Sequence, residues 1–353
     1  ASLATQGGFS GLSVTATNRD SVKNFAMAAG GAATAAVSVA AGVNVFDTTA
    51  RAYIGNGAVI NADTSGAAAG QSVNLRGSND FYHLEVAGAL AVAAGAGISP
   101  AVGVSVMTMT TEAFIADGAT VRAADDVVVR AKAAENLLAV SAAIGGGVAG
   151  VGGAVTVPVV SNTTRAFIGA NATVSAGGDV AVLASDDSKM LVVSGAGGFG
   201  LVGVGASVGV MSLTKSTNAY IGANSSVDAK GFGGGIAGVL DGTASGVASF
   251  NTTTAHGVVV QATSSENVTH MAIAAGGGFV GIAGGVAITL IDSDTRAWVD
   301  NGARINRTAD NAGASSQQGV TVRAGNRIET FSFAGGLAGG FVGVGGAGDI
   351  GSI

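Results

Sequence analysis

Cysteine is absent from this 353-residue chain, which removes disulfides, thiolate metal sites and thiol nucleophiles together. Proline is nearly absent, with 2 residues, and charge is scarce at 11%. So little proline excludes a collagen design, which also needs glycine at every third place. Low charge beside 48% hydrophobic residues excludes disorder, because disordered chains are charge-rich and apolar-poor. The 16 basic residues face 22 acidic ones, a net charge of −6, and no Lys/Arg cluster could track a phosphate backbone. Nucleic acid is therefore excluded as an expected partner. No signal peptide is read at Ala1, since neither a basic region nor a continuous apolar run follows it.

What the chain does have is repetition. An alanine, an aromatic and a β-branched residue, then a turn and a new strand, recur five times. The boxes are Arg51-Ala52-Tyr53-Ile54, Glu112-Ala113-Phe114-Ile115, Arg165-Ala166-Phe167-Ile168, Asn218-Ala219-Tyr220-Ile221 and Arg296-Ala297-Trp298-Val299. Their spacings are 61, 53, 53 and 78 residues. A β-rich segment opening at Leu12, Val73, Val127, Val180, Val258 and Val320 tracks them at 61, 54, 53, 78 and 62. Two elements in step define one continuous array over 1–353, of about six units of about 53–78 residues, not a string of globular domains. Both ends fall inside a unit, so the sequence reads as a segment of something longer.

Each unit carries a long uncharged Gly/Ala/Val tract. Its length suggests a transmembrane helix, but its period is two. Val202, Val204, Ala206, Val208 and Val210 alternate with Gly203, Gly205, Ser207 and Gly209, the signature of strands. The fold class that follows is all-β, a parallel β-solenoid built from Gly/Ala/Val-rich repeats, with about two rungs per unit. In this reading Val and Ile point inward. Gly203, Gly205, Ser207 and Gly209 then form an outward packing face. A charge-free sheet so poor in side chains must be covered, by another sheet of the same chain or by a neighbouring chain in a filament. Asn56-Gly57, Asp117-Gly118 and Asn301-Gly302 are tight turns. The glycine clusters at 30–31, 145–147, 197–198 and 276–278 mark strand reversals. Pro100 and Pro158 fall inside expected strands, where each removes a ladder donor. Extra length at 63–70, 231–256 and 308–319 enters at one point of the unit, as loops on one face do.

No catalytic, cofactor-binding or metal-ligating residue is assigned, and the chain is not read as an enzyme. Asp125-Asp126, Asp186-Asp187 and Asp292 with Asp294 read as solvated turn residues. Calcium on Asp292, Asp294 and Asp300 is the rival, at a spacing that matches no calcium loop. His83, His256 and His270 lack ligand spacing. Tyr53, Phe114, Phe167, Tyr220 and Trp298 hold one place in successive units and predict a structural aromatic ladder, with a carbohydrate platform as the rival.

The aromatic box, the Val/Ala/Gly tract and the Asn-Gly turn, repeated together, resemble the giant repetitive exoproteins of Gram-negative bacteria, the filamentous-haemagglutinin-like and leukotoxin-like adhesins. The resemblance implies a right-handed parallel β-helix, secretion to the bacterial cell surface, and adhesion or filament formation. Its implied partners are further copies or neighbouring chains, and a host or cell-surface glycan. It brings no catalytic residue and no cofactor. Two other functions stay open on the residues alone: an outer-membrane β-barrel, since alternating strands also suit lipid, and a polysaccharide-binding or polysaccharide-active β-helix, whose enzymatic form would need clustered acids.

Overall fold

Val127 pairs with Val180, and Val180 with Val258, both in parallel register. Partners one repeat apart sit side by side, so each unit makes one turn of the chain, not two. The tract does not break into short rungs; it runs as strands of 20 residues, about 65 Å long at about 3.3 Å per residue. The computed structural model describes residues 10–245, 249–307 and 312–353.

The first coil contains β1 (Ser10–Ala32), β2 (Ala35–Val37), β3 (Ala40–Ile54) and β4 (Val59–Ile60). The second contains β5 (Gln71–Ala93), β6 (Ala96–Ile115) and β7 (Thr120–Ala123). The third has β8 (Val127–Gly146), β9 (Ala149–Ile168) and β10 (Thr173–Ala176), and the fourth β11 (Val180–Phe199), β12 (Val202–Ile221) and β13 (Ser226–Ala229). A hairpin, β14 (Ile236–Ser245) and β15 (Ser249–Ala255), interrupts the array. The fifth coil has β16 (Gly257–Gly277), β17 (Val280–Val299) and β18 (Arg304–Ile305), and the sixth β19 (Gly319–Gly339) and β20 (Val342–Ser352).

Three parallel sheets result. The first stacks β1-β5-β8-β11-β16-β19; the second stacks β2 and β3, then β6-β9-β12-β17-β20; the short third stacks β4-β7-β10-β13-β18. The chain runs out along the first, reverses, returns along the second, and crosses the third to climb one coil. Among the described residues the hairpin is the one antiparallel pair and there is no helix. Parallel neighbours are not the antiparallel arrangement of an outer-membrane barrel.

Backbone demands explain the punctuation. The reversals place Gly147, Gly278 and Gly340 at φ 154°, 154° and 153°, where a Cβ is not tolerated. After each aromatic box, Gly57, Gly118, Asn171, Asn224 and Gly302 have φ 63°, 67°, 56°, 56° and 73°. Only Gly or Asn suits that left-handed place. The two prolines act locally, as expected. Ser38 and Val39 leave the ladder opposite Pro100, splitting β2 from β3. Val157 and Pro158 lie unpaired against β12.

Inward side chains shrink steadily along each coil. Where three sheets meet, Val and Ile ladders such as Val121, Val174 and Val227, or Ile115, Ile168 and Ile221, form the main core; each such side chain contributes about 1.5–3 kcal/mol. Midway, Phe81, Met107, Leu137, Met190 and Leu213 fill the gap. Nearer the reversal only Ala89, Ala101, Ala143, Ala154 and Ala196 fit. At the tip the backbones touch: a Cβ on Gly150 would lie 2.3 Å from the Phe199 carbonyl oxygen, and one on Gly203 2.4 Å from that of Gly277. The cross-section is a wedge, triangular at one end and two thin walls at the other.

This taper corrects the expected facing of the tract. Gly203, Gly205, Ser207 and Gly209 are buried against the first sheet of the same chain. Val204, Val208 and Val210 are the residues that face out.

Candidate functional site

The aromatic ladder is present on the outer face of the second sheet. Tyr53, Phe114, Phe167, Tyr220 and Trp298 stack with ring centroids 5.1, 4.6, 4.9 and 4.5 Å apart, tilted by no more than 10°. Parallel register puts them there, since each box pairs residue for residue with the next. Stacked this closely, the rings cover one another's faces. A sugar needs an open face, which the inner rings Phe114, Phe167 and Tyr220 do not offer. Beside it runs a charge ladder: Glu112, only 2% exposed, accepts from Arg51 Nε at 2.6 Å and Arg165 Nε at 2.9 Å.

The acidic pairs separate by position. Asp125 and Asp126 do occupy a corner, between the third and first sheets. Asp186 and Asp187, in contrast, lie within β11, one inward and one outward, and Asp292 and Asp294 lie on β17. They are not turn residues, because the strands run through them. Among the described residues no three His, Asp or Glu converge as metal ligands; His83 and His270 are separately buried in the wedge.

Asp186 belongs to an interior charge cluster that the sequence did not announce. Lys215 Nζ lies 2.7 Å from Asp186 Oδ1 and 3.2 Å from Glu266 Oε1, with all three side chains out of solvent. Thr164 donates to Asp186 Oδ2 at 3.0 Å, Ser293 to Glu266 Oε1 at 2.9 Å, and Ser188 to Glu135 Oε2 at 2.6 Å. Burial alone would depress the Lys215 ammonium, but Asp186, Glu135 and Glu266 outweigh it and hold it above its ordinary value. Glu135 is pushed well above the usual carboxyl range by burial first and by Asp186 next.

The 231–256 insertion builds a cleft on the first sheet. Its hairpin lies on the outer face of the first sheet, where Ile236 and Val239 cover Ala181, Leu183 and Val259. Gln261 clamps it, accepting from Leu240 N at 2.7 Å and donating to Gly238 O at 3.2 Å. Arg323 also donates to the Leu240 carbonyl. Beside the hairpin opens a cleft of about 430 Å³, lined by Lys132, Asp187, Phe250, Gln261, Ser265 and Arg327 among others. Arg327 donates to Ser265 at 2.7 Å. Cations, a carboxylate, an amide and hydroxyls around an aromatic ring suit a polar, hydroxyl-rich ligand. The sequence located this insertion but not its pairing, its small core or the cleft. The 63–70 insertion is a loop, as are residues 312–318 of the third; residues 308–311 lie outside the described residues.

No protein family, no curated protein and no solved structure matches the chain.

Proposed function

We propose that this chain is a structural and adhesive segment of a large secreted bacterial surface protein. The observation that carries the reading is the parallel stacking of six coils, a body that lengthens by adding units. The hairpin and its cleft lie on the outer face of the first sheet, clear of the stacking axis. Such a division suits a scaffold that presents a recognition site; its ligand class is a host or cell-surface glycan. Bead-immobilised protein should retain glycan-bearing cells, and Lys132→Ala with Arg327→Ala should abolish retention while circular dichroism stays unchanged. Retention unaffected by the double substitution would remove the cleft from the reading. A parent protein that retains no cells would remove adhesion itself.

A further inference from the structure

The thin half of the wedge is inverted relative to a water-soluble protein. Its interior holds Glu85, Ser141, Ser194, Thr156 and Ser207, all buried. Its outer walls hold Val140, Ile144 and Val193 on one side and Val155, Val208 and Ile288 on the other. The rim is apolar as well, with Leu201 57% and Phe279 55% exposed. Within 84–106, 138–160, 190–212 and 269–291 the one Asp, Glu, Lys or Arg is Glu85, which is 2% exposed and points inward. A full row of polar side chains resumes at one level on both walls, at Tyr82, Asn136, Lys189 and Asn267 on the first and Thr108, Ser161, Thr214 and Asp292 on the second, with Thr269 and Ser212 one outward step nearer the rim.

The apolar zone runs from Ala149 to Val159 on β9, about 30 Å at about 3.3 Å per residue. A bilayer's hydrocarbon core is about 30 Å thick. Lipid also demands that backbone donors and acceptors be satisfied within the protein. Within the apolar zone the long strands of coils two to five meet that demand, each paired with both neighbouring strands apart from the gaps at Ser99–Pro100, opposite Ser38–Val39, and at Val157–Pro158. A second copy is the competing occupant. Each wall is about 30 Å by 25 Å, roughly 750 Å², close to the about 800 Å² per partner of a stable interface. A dimer would cover one wall, however, and leave the other wall and the rim bare. A medium that surrounds the wedge covers all three.

We propose that the thin half of the wedge enters the hydrocarbon layer of a lipid bilayer, glycine edge first, while the three-sheet half with its ion pairs stays in water. This stands apart from the adhesive reading, since it uses neither the cleft nor the hairpin.

The test uses phosphatidylcholine vesicles. The parent protein should float with them. Trp298, the single tryptophan and part of the polar half, should escape quenching by lipids brominated on the acyl chain. A Leu201→Trp variant should be quenched. Outward charges, Val155→Asp with Val208→Lys, should lower the vesicle-bound fraction by more than about tenfold, with circular dichroism unchanged. Failure of the parent to float, or a Leu201→Trp signal that acyl bromines leave untouched, overturns the proposal. So does wall-to-wall association in lipid-free buffer that vesicles do not compete with, which would make a second copy the occupant.

Discussion

Glu135 shows how one side chain sets the response of the fold to pH. Its folded carboxyl holds a proton more tightly than the unfolded chain does. Stability linked to it is therefore greatest in acid and falls as pH rises past the ordinary carboxyl range. Asp126 acts in the same sense: burial, with the charges of Asp125 and Asp179, raises it from 3.8 to about 6. Lys215 acts at the other extreme, since its raised pKa keeps its contribution whole at neutrality and loses it only in strong alkali. The denaturant midpoint should begin to drop above about pH 4 and keep falling through about pH 6, by on the order of 1–2 kcal/mol in stability from Asp126 once its solvent screening is allowed for, with Glu135 adding in the same direction. Glu135→Gln, which keeps the shape and the Ser188 contact without the charge, should flatten that slope; a slope identical to the parent's would clear Glu135 of the role. Asp186 was hidden in the sequence for a physical reason. A buried carboxylate breaks the alternation that identifies a strand, and its compensation lies across the wedge on Lys215.

At the level of the strand, alternation was legible and facing was not. Period two in Val202–Val210 identifies an extended segment whichever parity is inside. Hydropathy then assigns valine to the interior, the correct choice where three sheets enclose a wide space, as at Val127 and Val180. It fails where two sheets close to backbone contact, because the space between the walls decides there. Large residues on one wall are matched by glycine on the other: a Cβ on Gly209 would strike the His270 ring at 2.1 Å, and one on Gly103 would lie 2.9 Å from the Ser141 hydroxyl and 3.2 Å from Glu85 Oε1. Gly205→Ala is expected to cost about 1–3 kcal/mol by overpacking, since its Cβ would sit 2.2 Å from the Ala275 carbonyl oxygen. The outward Val208→Thr should stay within about 0.5 kcal/mol of the parent. Equal melting temperatures for the two variants would mean the walls are not in contact. The turns were legible for the opposite reason: Asn-Gly chemistry is local, and Gly57, Gly118 and Gly302 needed no knowledge of neighbours.

For the molecule as a whole, the repeat period was visible in the residues, but the number of rungs per period was not. Nothing in a Gly/Ala/Val tract says whether it folds back once or twice; that follows from where the inward glycines let two backbones meet. One rung per unit has a mechanical result. Consecutive coils are joined by a single covalent crossing at the short third sheet, while their hydrogen bonds lie along the stacking direction. Tension on the chain ends therefore peels a coil open from its corner, one pair after another, instead of shearing a whole ladder at once. A unit of 53 residues pays out about 180 Å of chain when it lets go. Single-molecule stretching should show low-force steps near that length and a longer one for the 78-residue unit that carries the hairpin; a single high-force rupture would show that the coils yield as a block. A tether built this way lengthens under load and keeps its grip.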